Sequence, residues 1–153
     1  MKRHLIIILI LIATALCATA KKGAQFSDFA SSPNNVTYTY VSPSMLATMG
    51  EYNIQTRTIN ISTKELSSIE TVSGLSTIAE DLIKRVKQII NKEKLETLAT
   101  RRPRSGATVS IFGKTAKGGK QLEKLIMVEQ THVNIKVTYL TGRISFTFNN
   151  LDF

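Results

Sequence analysis

Apolar and polar positions repeat with two different periods along this chain, and the changes of period mark its elements. Val36-Thr37-Tyr38-Thr39-Tyr40-Val41 alternates among β-forming residues and predicts a strand over 36–41. Ser42-Pro43 then supplies a capping side chain and a proline at the first helical position, Met45, Leu46 and Met49 share one side of the short helix that follows, and Gly50 stops it. Residues 51–66 hold Ile54, Ile59 and Ile61 among threonines and asparagines and show no clear period. Ile69-Glu70-Thr71-Val72 predicts a short strand closed by Ser73-Gly74.

From there the period becomes helical. Thr77-Ile78-Ala79-Glu80 has the form of a capping box, and Ile78, Leu82, Val86 and Ile89 recur at helical spacing, with Ala79, Ile83 and Ile90 widening the stripe. Glu80 with Lys84, and Asp81 with Arg85, are acid-first pairs four residues apart. After Asn91 the period returns to two. Leu95–Arg101, Ala107–Lys114, Leu122–Glu129 and Val133–Leu140 are expected strands, separated by turns at Pro103–Gly106, Lys117–Lys120 and Gln130–His132. Leu125-Ile126-Met127-Val128 suits a strand buried on both faces. Residues 144–153, with Ile144, Phe146 and Phe148, fit either a further strand or a docking turn. The expected fold is α+β: an antiparallel β-meander packed against one long amphipathic helix, with the first strand and its short helix at the edge.

The first twenty residues follow neither period. Lys2-Arg3-His4 is a positive head, Leu5–Leu16 is a nearly unbroken apolar run, and Ala18 and Ala20 place small residues at a cleavage site before Lys21. That is the build of a secretory signal peptide over 1–20, too short to remain as a membrane span of ~20 apolar residues. Cys17 raises lipidation as an alternative. Lipoprotein processing takes a small residue before the cysteine, however, and Leu16 is bulky, so a soluble periplasmic or secreted product is expected rather than an outer-membrane lipoprotein. A polar lead-in over 21–35, with Phe26 and Phe29 as anchors, then leads into a single domain over 36–153.

The entry Val36–Leu46, the stretch Leu66–Ser73 before the long helix, and Val137-Thr138-Tyr139-Leu140-Thr141-Gly142-Arg143-Ile144 together resemble a family of small exported Bacteroidetes proteins, domain of unknown function 4252. In that family the last of these is a strand followed by a glycine-basic-isoleucine turn. The resemblance spans roughly residues 26–151 and implies export and a compact α+β domain. Members often look like lipoproteins, and Leu16 departs from that pattern. The family brings no catalytic residues to carry over.

Chemistry enters through few side chains. One cysteine cannot form an internal disulfide or a zinc cluster. Beyond the leader His132 is the sole histidine, set in a predicted turn without metal-ligand spacing around it. A hydrolase triad assembled around it only in three dimensions is one alternative function, although no G-x-S-x-G elbow is present. Gly113-Lys114-Thr115 resembles the end of a phosphate loop, but Thr108 stands where the first glycine is needed and a strand surrounds it. Asn35-Val36-Thr37 and Asn60-Ile61-Ser62 match a glycosylation sequon by chance. No cofactor or metal is implied.

Charge changes the picture last. The whole chain of 153 residues carries +9, but removal of 1–20 takes Lys2 and Arg3 and no acid, leaving +7. Residues 21–83 carry −2, residues 84–124 carry +9, and residues 125–153 are neutral. In the meander, Lys92 and Lys94 at the helix end fall beside Lys114, Lys117 and Lys120, a candidate anion-binding cluster for an acidic glycan or lipopolysaccharide phosphate. Arg101, Arg102 and Arg104 fall at the other end of an eight-residue strand, about 26 Å away. Only Phe112 is interleaved, which argues against base stacking and nucleic acid. The expected function is a non-enzymatic, envelope-associated binding or interaction module, with an envelope protein or an acidic glycan as partner.

Overall fold

A computed structural model describes residues 24–32, 35–51, 53–55, 59–102, 106–119 and 121–148. The signal-peptide segment with Cys17, Ala18 and Ala20, the Pro103–Ser105 turn with Arg104, Lys120, and residues 149–153 lie outside the described residues.

Its centre is a six-stranded antiparallel sheet in the order β1-β4-β8-β7-β6-β5. Its strands are β1 (Thr37–Val41), β4 (Leu66–Leu75), β5 (Glu96–Arg101), β6 (Thr108–Thr115), β7 (Leu122–Gln130) and β8 (Asn134–Ile144). β5 to β8 form the expected meander, each strand pairing with the next. β4 adds to its far side by pairing with β8, and β1 closes the edge on β4. The chain must therefore cross the sheet between β4 and β5, and the helix α2 (Ala79–Glu93) makes that crossing. α1 (Pro43–Met49) follows β1.

Alternation assigns the two faces. Val72, Ile126, Val137 and Tyr139 meet Leu82, Val86 and Ile89 of α2 in one core, which also buries Phe26 of the lead-in completely. Each large aliphatic side chain buried there stabilises the fold by roughly 1.5–3 kcal/mol relative to leaving it exposed. The opposite, outer face carries a second core: Ile69, Ile111, Leu125, Met127 and Leu140 pack under Leu46 of α1 and under Ile59 and Ile61. Those two isoleucines belong to a small second sheet, β2 (Asn53–Gln55), β3 (Ile59–Ser62) and β9 (Phe146–Phe148), in the order β2-β3-β9. β2 and β3, from the unreadable stretch 51–66, and β9, the last described strand, thus build one layer together.

Several boundaries differ from the sequence expectation. β4 runs over Leu66–Leu75, so Gly74 lies inside the strand and does not close it; a Cβ there would come within 2.7 Å of Ile78 Cδ1. β8 continues through Gly142-Arg143-Ile144, expected as a turn. Gly142 has φ +118 and sits where Leu66 and Ser68 shift register, and a Cβ would lie 2.5 Å from the Ser67 nitrogen. Only glycine fits that close backbone approach.

At the helix start no side chain caps the backbone; the chain enters α2 through a 3₁₀ turn at Ser76–Ile78, so the Thr77 capping box is not formed. Glu80 and Asp81 still sit in the first turn and Lys92 in the last, matching the helix dipole. Ser42 does cap α1, accepting from the Met45 N–H at 3.2 Å, with Pro43 leading and Gly50 at φ +73 closing. Of that helix's expected apolar side only Leu46 is buried, while Met45 and Met49 are about half exposed.

Candidate functional site

Glu70 is the buried acid of the described residues, 1% exposed, and sequence reasoning passed over it. It points to the helix face between Tyr40 of β1 and Tyr139 of β8. Its carboxylate accepts the backbone N–H of Gln25 at 2.8 Å and of Phe26 at 2.7 Å, and the Tyr38 hydroxyl at 3.0 Å. Burial, then the nearby Glu70 carboxylate, raise the Tyr38 phenol well above its usual value. The outcome is a latch: Glu70 holds the lead-in so that Phe26 enters the core, with Phe29 tilted against it at 6.4 Å between ring centroids. Arg85 of α2 adds an ion pair to Asp28 in place of the expected partner Asp81.

Because Glu96 pairs with Gly113, the end of α2 comes beside β6, and there Lys92 and Lys114 of the expected cluster gather at Glu93 in one patch. It is not a bare patch of cations. Lys114 is 3.2 Å from Glu123, and Lys124 donates to Glu93. The Lys124 hydrogen bond, with the charges of Lys124, Lys92 and Lys114, holds the Glu93 carboxyl below the usual carboxylate range despite its partial burial. Acids and bases therefore alternate through the middle of the cluster. Lys92, Lys94 and Lys117 are exposed, and Lys94 takes the left-handed backbone conformation, φ +55, that ends the helix. Gly113-Lys114-Thr115 lies within β6, where no helix N-terminus follows to hold a phosphate.

His132 is exposed in the β7–β8 turn and has no carboxylate or hydroxyl partner among the described residues. Gly106 lies beside its ring, where an added Cβ would be 3.6 Å from Nε2. An imidazole so placed has no relay for general-base chemistry within those residues. Groups of three or more metal-ligating side chains are likewise absent among them.

A different surface emerges from the register. One residue from each strand lines up across the outer face at the β7–β8 turn end: Thr37, Ser73, Lys136, Glu129, Val109 and Arg101. The small sheet and α1 cover the face around Ile69, Leu125 and Leu140, and Val109 is buried with them, but Thr37, Ser73, Lys136 and Glu129 of this row stay open. The open part is a groove of about 570 Å³, reaching from Thr37 on β1 to Val109 on β6. Leu75, 45% exposed, adds an apolar wall, and Thr131 and Asn134 add hydrogen-bonding groups. Lys136 and Glu129 stand opposite each other across β8 and β7, yet among the described residues neither forms an ion pair. No sequence signal marks this pair, because its partners become neighbours only once β7 and β8 are in register.

Comparison with known proteins gives one further fact. Residues 29–151 match the family model described as Domain of unknown function (DUF4252). No curated protein and no solved structure matches the chain.

Proposed function

The chain belongs to the DUF4252 family, and from that premise we propose that it is a small exported, non-enzymatic binding module of the cell envelope, whose ligand lies in the groove at the β7–β8 end of the large sheet. The observation that carries this reading is the open row Thr37, Ser73, Lys136, Glu129, set on a sheet whose remaining outer face is covered. Strands on a packed core hold such side chains in fixed positions, and a preorganised surface loses little freedom on binding. A basic and an acidic group side by side repel a polyanion as strongly as they attract it. They suit a protein segment that presents both charges, so an envelope protein fits better than an acidic glycan.

The test is site-specific photo-crosslinking in the native host. A benzoylphenylalanine at position 73 or 107, both in the groove lining, should give one discrete adduct, and the same group at Thr97 on the far edge should not. Adducts that are missing, or equal at all three positions, overturn the groove assignment. Export is checked separately by N-terminal sequencing of the recovered protein, with Lys21 expected as the first residue and an acylated Cys17 as the contrary result.

A further inference from the structure

The large sheet has two edges, and they are built differently. β5 is guarded: it carries Glu96 and Arg101 at its ends and a register shift between Thr97 and Ala99. Charges and bulges of this kind keep an edge from pairing with another chain. β1 has none of these devices. Thr37-Tyr38-Thr39-Tyr40-Val41 is uncharged, holds no proline, and pairs with β4 in unbroken register from Thr37 to Val41. No described strand pairs with its other side. The described part of the lead-in, residues 24–32, packs on the helix face through Phe26, Phe29 and the Asp28–Arg85 pair, and adds no strand to β1.

We propose that β1 pairs antiparallel with β1 of a second copy of this chain, across a two-fold axis at Thr39. The sequence of the strand selects this occupant. About Thr39 it is nearly palindromic, so Tyr38 faces the second copy's Tyr40 and Thr37 faces the second copy's Val41. Every cross-strand pair is then between aromatic or β-branched residues, the pairs that stabilise sheets, and no like charges meet. The two-fold axis keeps both long helices on one side and joins the sheets into one. Five residues a side make a small interface, so the pair is concentration-dependent, with a dissociation constant on the order of 10–100 µM.

Sedimentation equilibrium on protein expressed from the full chain tests this over loading concentrations from about 1 µM to about 1 mM. The wild type should move from the mass of one chain to that of two. Thr39 is exposed and meets itself at the axis, so Thr39→Lys alone and Thr39→Glu alone should each stay at one chain. An equimolar mixture of the two should recover the two-chain mass, because the charges then face each other with opposite sign. Thr97→Lys on the guarded edge should dimerise like the wild type. A wild type that stays at one chain throughout overturns the proposal. So do Thr39 variants that dimerise unaltered, a mixture that does not recover the pair, or a Thr97 variant that loses it.

Discussion

Glu70 occupies a helix-face position of β4 where the alternation calls for an apolar side chain, and its three hydrogen bonds account for the exception. Replacing it with alanine leaves the Gln25 and Phe26 N–H groups without their acceptor, at a cost of about 1–3 kcal/mol before any loss of Phe26 packing. Glu70→Ala should therefore lower the melting temperature and speed proteolysis within residues 24–32, read by mass spectrometry. A variant cut no faster than the wild type would mean that the lead-in is held by Phe26 alone. The neighbouring phenols set a pH dependence. Burial raises Tyr38, helped by Glu70, and burial raises Tyr139, helped by Glu93, Glu70 and Glu123. In the unfolded chain both ionise near pH 10, while in the fold they stay protonated. Their contribution is whole below about pH 10 and is lost as pH rises above it, so alkaline unfolding should be steep there. Tyr139→Phe should move its midpoint to higher pH, followed by circular dichroism; an unmoved midpoint would assign the transition to other groups.

The elements divide by how far their signal depends on distant partners. α2 was legible because Leu82, Val86 and Ile89 repeat within a few turns, and β5 to β8 were legible because each strand pairs with its sequence neighbour. The second sheet was not. β2 and β3 have three and four residues, rich in polar side chains, and β3 is completed only by β9, the last described strand of the chain. Local pattern carries no trace of such a pairing. Ile61 is fully buried against the outer face. Ile61→Ala should accordingly cost about 2–5 kcal/mol, as much as Leu82→Ala in the long helix, measured by urea denaturation. A cost below about 1 kcal/mol would mark the second sheet as a loose cover that the large sheet folds without. The groove row was illegible for the same reason as β9: Lys136, Glu129 and Ser73 come together through register, not through spacing.

At the scale of the molecule the question is whether the basic excess acts as a site or as a field. Linear counting placed +9 between residues 84 and 124. Folding brings Glu93 and Glu123 into the middle of the lysine end, where each pairs with a lysine. The half-exposed Lys114–Glu123 pair adds little stability, and it and the part-buried Lys124–Glu93 pair neutralise the local potential that a polyanion would feel. Arg101 and Arg102 lie at the opposite end of β5, a strand's length from the helix end. The net charge of +9 of the whole chain, or +7 if residues 1–20 are removed as proposed, is spread in this way and attracts any polyanion weakly and from several sides, with strong screening by salt. On a heparin column the chain should be retained at low salt and released as salt rises. The double change Lys114→Gln, Lys117→Gln and the double change Arg101→Gln, Arg102→Gln remove equal charge from opposite ends. Both should lower the eluting salt concentration by the same amount. A much larger drop for the lysine pair would show that the cluster binds as a unit despite its acids, and would make the end of α2, rather than the groove, the place to look for the ligand.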